Sequence, residues 1–147
     1  MIFVQGDVNL SETTDRIGVC DVVFCSGVLY HTPDPVHLLT QLRALCGETL
    51  ILNTAAIPEM RGLSNGAVFY PFLDARQRKI WNQGIGSQKS ITGPYEPESG
   101  YGNWFWGLTP SCIESMLACA GFEVKERYIF PFRCAFVCKT IPIQFVA

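Results

Sequence analysis

Tyr30 and His31 stand side by side and follow directly on the run Asp21-Val22-Val23-Phe24-Cys25-Ser26-Gly27-Val28-Leu29. An imidazole with an ordinary pKa near ~6.5 can take a proton from a reacting group at neutral pH. It can also hydrogen-bond loop backbone or cap the next helix, and for His31 both readings stand. His37, six residues on, reads as helix surface. A second constellation is Gly102-Asn103-Trp104-Phe105-Trp106-Gly107, three large aromatics between two glycines. Trp104, Phe105 and Trp106 can stack on a planar or cationic group, or serve as a hydrophobic plug. The seven cysteines lie mainly among apolar residues and none is spaced C-x-x-C. They read as buried reduced thiols rather than disulfides or a metal site.

These side chains need elements to position them. Asp21 opens an apolar run, 21–26, that suits a strand covered on both faces, as in a parallel sheet. Gly27 lets the chain turn and approach a ligand, and Pro33-Asp34-Pro35 starts a helix. Tyr30 and His31 thus fall where open α/β sheets bind ligands. The helix, 34–46, places Val36, Leu38, Leu39, Leu42 and Leu45 on one face, with Gly47 as its C′ stop. Residues 2–6 read as a short strand ending in Gly6-Asp7, 11–16 as a loop or one helical turn, and 49–54 as a third strand. From Ala56 the periodicity lapses into Gly, Pro, Ser and aromatics, with a short helix around 72–80. A loop this long points to a lid, at about 56–108. Thr109 then caps a helix with Pro110 at N1, Ile113, Met116, Leu117 and Ala120 inward, and Gly121 at its end. Strands at about 123–129 and 134–140, joined by Pro131-Phe132-Arg133, are antiparallel neighbours. The class is α/β.

The 147 residues suit one domain, 1–147, with one core. A hydrophobic share of 48% against 16% charged excludes a disordered chain. No apolar run approaches the ~18 residues that span a bilayer, so no membrane partner is expected. The first residues carry neither a basic region nor a small-residue cleavage site. The reduced cysteines make the cytoplasm the expected compartment. The net charge is −2, and the one basic cluster, Arg76, Arg78 and Lys79, reads as a solvated helix face. It is too small to track a phosphate backbone unaided.

The run 21–35 resembles the fourth strand and following loop of class I S-adenosylmethionine-dependent methyltransferases, which often read D-V-V-x-C-x-G-V-L-Y-H-x-x-D-P. Ala118-Cys119-Ala120-Gly121-Phe122-Glu123-Val124 is similar to the "aGF-x-v" signature of the same family. The resemblance implies a Rossmann-like methyltransferase fold from its third to its seventh strand, the last pair antiparallel, with strand order three-two-one-four-five-seven-six. It implies S-adenosylmethionine as cofactor. Asp7 would then bond the adenine amino group, Val8 would offer its backbone amide, and Ser26, Gly27 and Val28 would line the methionine end. Tyr30 and His31 would face the transferred methyl group, His31 as the base that removes a proton. Trp104, Phe105 and Trp106, with Tyr30, would meet the acceptor.

The family's glycine-rich loop, E/D-x-G-x-G-x-G, and its ribose-holding acid have no counterpart here; Gly84-Ile85-Gly86 lacks a preceding strand. The resemblance therefore implies the carboxyl-terminal part of one methyltransferase domain, incomplete as this chain. The strand 21–26 would then present a free edge open to self-pairing. The expected activity is methyl transfer to a small-molecule acceptor. The tRNA wobble-uridine methyltransferases, whose loop also reads G-V-L-Y-H, are the alternative and would make tRNA a partner. A non-catalytic half-domain that pairs with a second polypeptide is the rival from another class.

Overall fold

The computed structural model describes residues 1–82 and 94–142. Gly84-Ile85-Gly86 and part of the expected lid lie outside them. β1 (Cys20–Ser26) pairs in parallel with β2 (Cys46–Ala55), in a register that sets Val22 against Thr49 and Ser26 against Asn53. β5 (Phe122–Phe130) and β6 (Arg133–Thr140) form an antiparallel hairpin, and β6 also lies antiparallel to β2. The sheet order is β1-β2-β6-β5, which is the order four-five-seven-six anticipated for this part of the fold.

Between β1 and β2 runs α2 (Pro35–Leu45). Asp34 caps it, its Oδ1 accepting from the His37 amide at 2.9 Å, and Pro35 fills the position where no amide is needed. α4 (Pro110–Cys119) begins in the same way: the Thr109 hydroxyl accepts from the Cys112 amide at 3.2 Å. Its Ile113 and Leu117 are fully buried with Leu38, Leu39 and Leu42 of α2, against Leu50, Leu52, Phe136 and the thiols of Cys134 and Cys138. Gly121 follows α4 at φ 87°, a conformation that costs glycine little. Arg43 binds the end of α2 to the far strands, donating to the Gly121, Cys46 and Ile141 carbonyls at 3.1–3.3 Å.

Both helices cover one face of the sheet. On the other face Phe24, Ile51 and Val137 stand in one cross-strand row. There Val22 and Phe24 are 56% and 68% exposed.

Four local expectations change. Residues 2–6 form no strand: Ile2 and Phe3 are exposed, and among the described residues no neighbouring strand offers their backbone a ladder to join. Residues 11–17 form a true helix, α1 (Ser11–Ile17), seated through the buried Thr13 and Thr14. Gly47 is not a helix stop; α2 ends at Leu45 and the chain passes straight into β2. A Cβ at Gly47 would sit 3.2 Å from Val19 Cγ1, so this glycine permits close approach of two segments. The turn between the last strands is Pro131-Phe132 alone, with Arg133 already paired to Phe130.

The lid region has its own small sheet, β3 (Ala67–Phe69) antiparallel to β4 (Trp106–Leu108), and a helix α3 (Ala75–Asn82). Within α3, Arg78 is buried, its Nε donating to the Leu73 carbonyl at 2.8 Å, so the basic cluster is not wholly a solvated face. β4 is stitched to the body by the Ile57 amide donating to the Leu108 carbonyl at 2.9 Å. Gly107 allows this seating. A Cβ there would lie 2.8 Å from the Tyr70 ring and 2.9 Å from Ile57.

Candidate functional site

At the carboxyl end of β1 the chain turns at Gly27, φ 71°, whose amide donates to the Asn53 carbonyl at 3.0 Å. Ser26 Oγ accepts from the Asn53 side chain at 3.0 Å, which ties the ends of β1 and β2 together. A single 3-10 turn, Leu29–His31, then carries Tyr30 and His31, anchored by the fully buried Leu29.

This turn separates two cavities. One, of about 290 Å³, is lined by Asp7, Val8 and Asn9 from the segment before α1, by Val28 and His31 from the turn, and by Tyr101 from the lid region. The other, of about 280 Å³, lies between Gly27, Tyr30, Asn53 and the β5–β6 turn with Phe132 and Arg133.

In the first cavity Asp7 is held from two directions. Its Oδ1 accepts from the Asn9 amide at 2.9 Å and the Asn9 side chain at 3.0 Å, and its Oδ2 accepts from the Tyr101 hydroxyl at 3.0 Å. Burial pushes its pKa up, but these hydrogen bonds, with a smaller pull from the His37 side, hold it below the ordinary value. Asn9 Oδ1 is buried with no hydrogen-bond partner. Turning the amide over would not help, because Asp7 Oδ1 needs the donor. A buried acceptor without a partner is uncommon in a folded protein. His37 Nε2 donates to the Asn9 carbonyl at 2.8 Å, so His37 positions this segment instead of being plain surface.

His31 Nδ1 lies 2.8 Å from the Asn103 carbonyl. A carbonyl can only accept, so Nδ1 carries a proton, and in the neutral imidazole the lone pair is then on Nε2. The structural and the basic readings of His31 are therefore compatible, one on each nitrogen. Tyr30 stacks on Trp104 with ring centroids 4.0 Å apart and planes at 27°. Its carbonyl accepts from the Phe105 amide at 2.9 Å. Burial raises the Tyr30 pKa, which keeps its hydroxyl a donor.

The three aromatics before α4 occupy packing positions. Trp104 is 5% and Phe105 8% exposed. The Trp104 indole donates to the Trp106 carbonyl at 2.7 Å, and the Trp106 indole to the Pro33 carbonyl at 3.0 Å. None of the three lines either cavity. Asp7, Val8, Val28 and His31 thus meet around one cavity, Gly27 and Tyr30 around the other, and Ser26 braces the strand ends between them. Asn9 and Tyr101 escaped the sequence reading. An Asp-x-Asn pair within a turn was the one available signal, whereas Tyr101 reaches Asp7 across 94 residues.

No protein-family model matches the sequence, and no curated protein matches it either. Solved structures do match. The CurJ carbon methyltransferase aligns at a TM-score of 0.53 and 14% identity over 93% of this chain and 34% of its own. A protein of Bacillus halodurans C-125 described as a methyltransferase gives 0.53 and 14% over 93% of this chain and 75% of its own. The N-terminal domain of EvdMO1, solved with S-adenosylhomocysteine bound, gives 0.50 and 18% over 87% and 48%. The chain thus spans about half or less of two of the three. Together with the strand order, these likenesses establish the fold as part of a Rossmann-like methyltransferase fold.

Proposed function

We propose that the chain serves in S-adenosylmethionine-dependent methyl transfer to a small-molecule acceptor, as the carboxyl-terminal part of a methyltransferase domain that binds adenine and acceptor. The observation that carries this reading is the first cavity, where the hydrogen-bonded carboxylate of Asp7 stands among Val8, Val28 and His31. An adenine ring fits such a site: its apolar faces can meet Val8 and Val28, and its amino group can donate to Asp7 Oδ2. The cofactor would supply an electrophilic methyl group. Gly27 leaves its approach open, and Nε2 of His31, when the imidazole is neutral, would receive the acceptor's proton.

A small acceptor suits the charges. Lys125, Arg127 and Lys139 are paired with Glu123, Glu114 and Glu48, and Arg43 is committed to backbone carbonyls. These four are thereby less available to a phosphate backbone. The sheet face on which Val22 and Phe24 are exposed among the described residues, and the lack of a glycine-rich loop in the sequence, support a further α/β segment completing the site, in the same polypeptide or in a second one.

The test is a titration of the labelled protein followed by amide NMR. Adenosine and S-adenosylmethionine should shift Asp7, Val8 and Val28 saturably, in the millimolar range or weaker because the ribose and methionine contacts are incomplete. Guanosine should not, since it presents a carbonyl where adenine presents the amino group. Asp7→Ala should abolish the response. Shifts that guanosine reproduces, or that survive Asp7→Ala, remove adenine from this cavity.

A further inference from the structure

The second cavity holds a cation that the protein does not neutralise. Arg133 stands at the first position of β6 with its guanidinium 4.5 Å from the centroid of the Phe130 ring, a cation–π contact that fixes its place without cancelling its charge. The ion pairs among the described residues are Lys125 with Glu123, Arg127 with Glu114 and Lys139 with Glu48. Among the described residues no carboxylate pairs with Arg133, and none of the residues lining the cavity is acidic. Across the cavity stands Tyr30, above Gly27, where a Cβ would come 3.6 Å from the phenol oxygen. Among the described residues the Tyr30 hydroxyl has no protein partner.

The wall between them is built with some strain. Phe132 holds φ 67°, a left-handed backbone conformation that is unfavourable for a bulky side chain, and its carbonyl accepts from the Ala56 amide at 3.0 Å. That turn sets Arg133 in the lining of the cavity. Arg133 and Tyr30 both line this cavity, and a guanidinium and a phenol hydroxyl, both donors, in a lining without an acid are complementary to an oxyanion.

We infer that this cavity binds an anionic group of the methyl acceptor, a carboxylate or a phosphate, through Arg133 and Tyr30. The inference rests on the methyl-transfer reading for the word acceptor, and on the cavity alone for the anion. It assigns the acceptor to the side of the Tyr30–His31 turn away from Asp7, so that the two ligands would approach each other past Gly27.

Amide and arginine side-chain NMR at constant ionic strength tests it, with malonate, inorganic phosphate and the neutral malonamide as probes. Malonate or phosphate should shift Gly27, Phe132 and the Arg133 Nε resonance saturably, and whichever binds more tightly identifies the class of anion. Arg133→Gln should weaken that binding at least about tenfold, the effect of losing one charge-assisted contact, while Arg133→Lys keeps part of it. The inference is overturned if malonamide gives the same shifts, if Arg133→Gln binds as the parent does, or if neither anion saturates. S-adenosylmethionine, read at Asp7, Val8 and Val28, separates the two readings. Anion binding without it leaves the anion site standing and removes methyl transfer, and the converse removes the anion site.

Discussion

Trp104 decides whether the aromatic cluster is a plug or a platform for a ligand, and Trp104→Ala measures which. The indole is 5% exposed, stacked on Tyr30 at 4.0 Å, tilted against Tyr70 at 6.1 Å, and bonded through its N–H to the Trp106 carbonyl at 2.7 Å. Truncating a buried tryptophan to alanine costs about 3–5 kcal/mol, most of it lost burial and the cavity left behind. The stacking adds about 0.5–1.5 kcal/mol within that total. We expect a loss of about 4 kcal/mol, a large part of the roughly 5–15 kcal/mol that holds a domain together. For a chain of this size that lowers the melting temperature by about 10 °C. Trp104→Phe keeps a ring against Tyr30 but drops the donor, and should cost about 1–2 kcal/mol. Urea unfolding of both variants, read by circular dichroism, supplies the numbers. A loss below about 1 kcal/mol for Trp104→Ala would mean the indole is not held by the protein, and the plug would be refuted in favour of a ligand platform.

The Asp7–Tyr101 bond should have a pH window. Asp7 is held below its ordinary value, so its contribution is present above the usual carboxylate range and is lost as pH falls through the lowered value. Tyr101 is pushed up, by burial first and by the neighbouring Asp7 carboxylate, so its contribution is present below the usual phenol range and lost as pH rises through the raised value. Ring shifts of Tyr101 should report both limits, and a ring indifferent to Asp7→Asn would sever the bond. Among the cysteines, Cys20 and Cys119 are exposed and the other five buried. Burial raises Cys25 to about 11 and both Cys134 and Cys138 to about 12. A disulfide reagent at neutral pH should therefore label two thiols quickly and the remainder only on unfolding. Phe24→Lys should reduce self-association of the free β1 edge and its uncovered face, measured by light scattering. A parent protein that is already a monodisperse monomer at high concentration would contradict this.

What the sequence disclosed follows from how local each signal was. The strands 21–26 and 49–54, and the helices capped by Asp34 and Thr109, depend on neighbours within a few residues, and the structure reproduces them with small shifts at the ends. The segment 2–6 has the composition of a strand, but a strand exists only with a partner, and composition carries no partner. Gly47 has the spacing of a helix stop; its real constraint is Val19, far back in the chain. β3 and β4 are three residues each, too short for periodicity to register. In the site, Asp7 and His31 stood out by type and place. Asn9 and Tyr101 became visible only once folding set them around the same carboxylate. Trp104 through Trp106 drew notice by size, and size alone does not tell a buried ring from a waiting one.

The interior position of β6 has a consequence for how the chain is made. Thr49 of β2 meets Lys139 of β6, 90 residues later. At roughly 5–20 residues per second of synthesis, the edge of β2 waits about 5–20 s for its permanent neighbour. During that interval Leu50, Ile51 and Leu52 form a nascent apolar strand paired on one side only. The β5–β6 hairpin is local and closes in about 1–10 μs once it emerges. It then docks as a finished unit, sealing the core beneath α2 and α4. The chain's most vulnerable moment thus falls before that docking, when a chaperone that shelters bare strand edges has the most to protect.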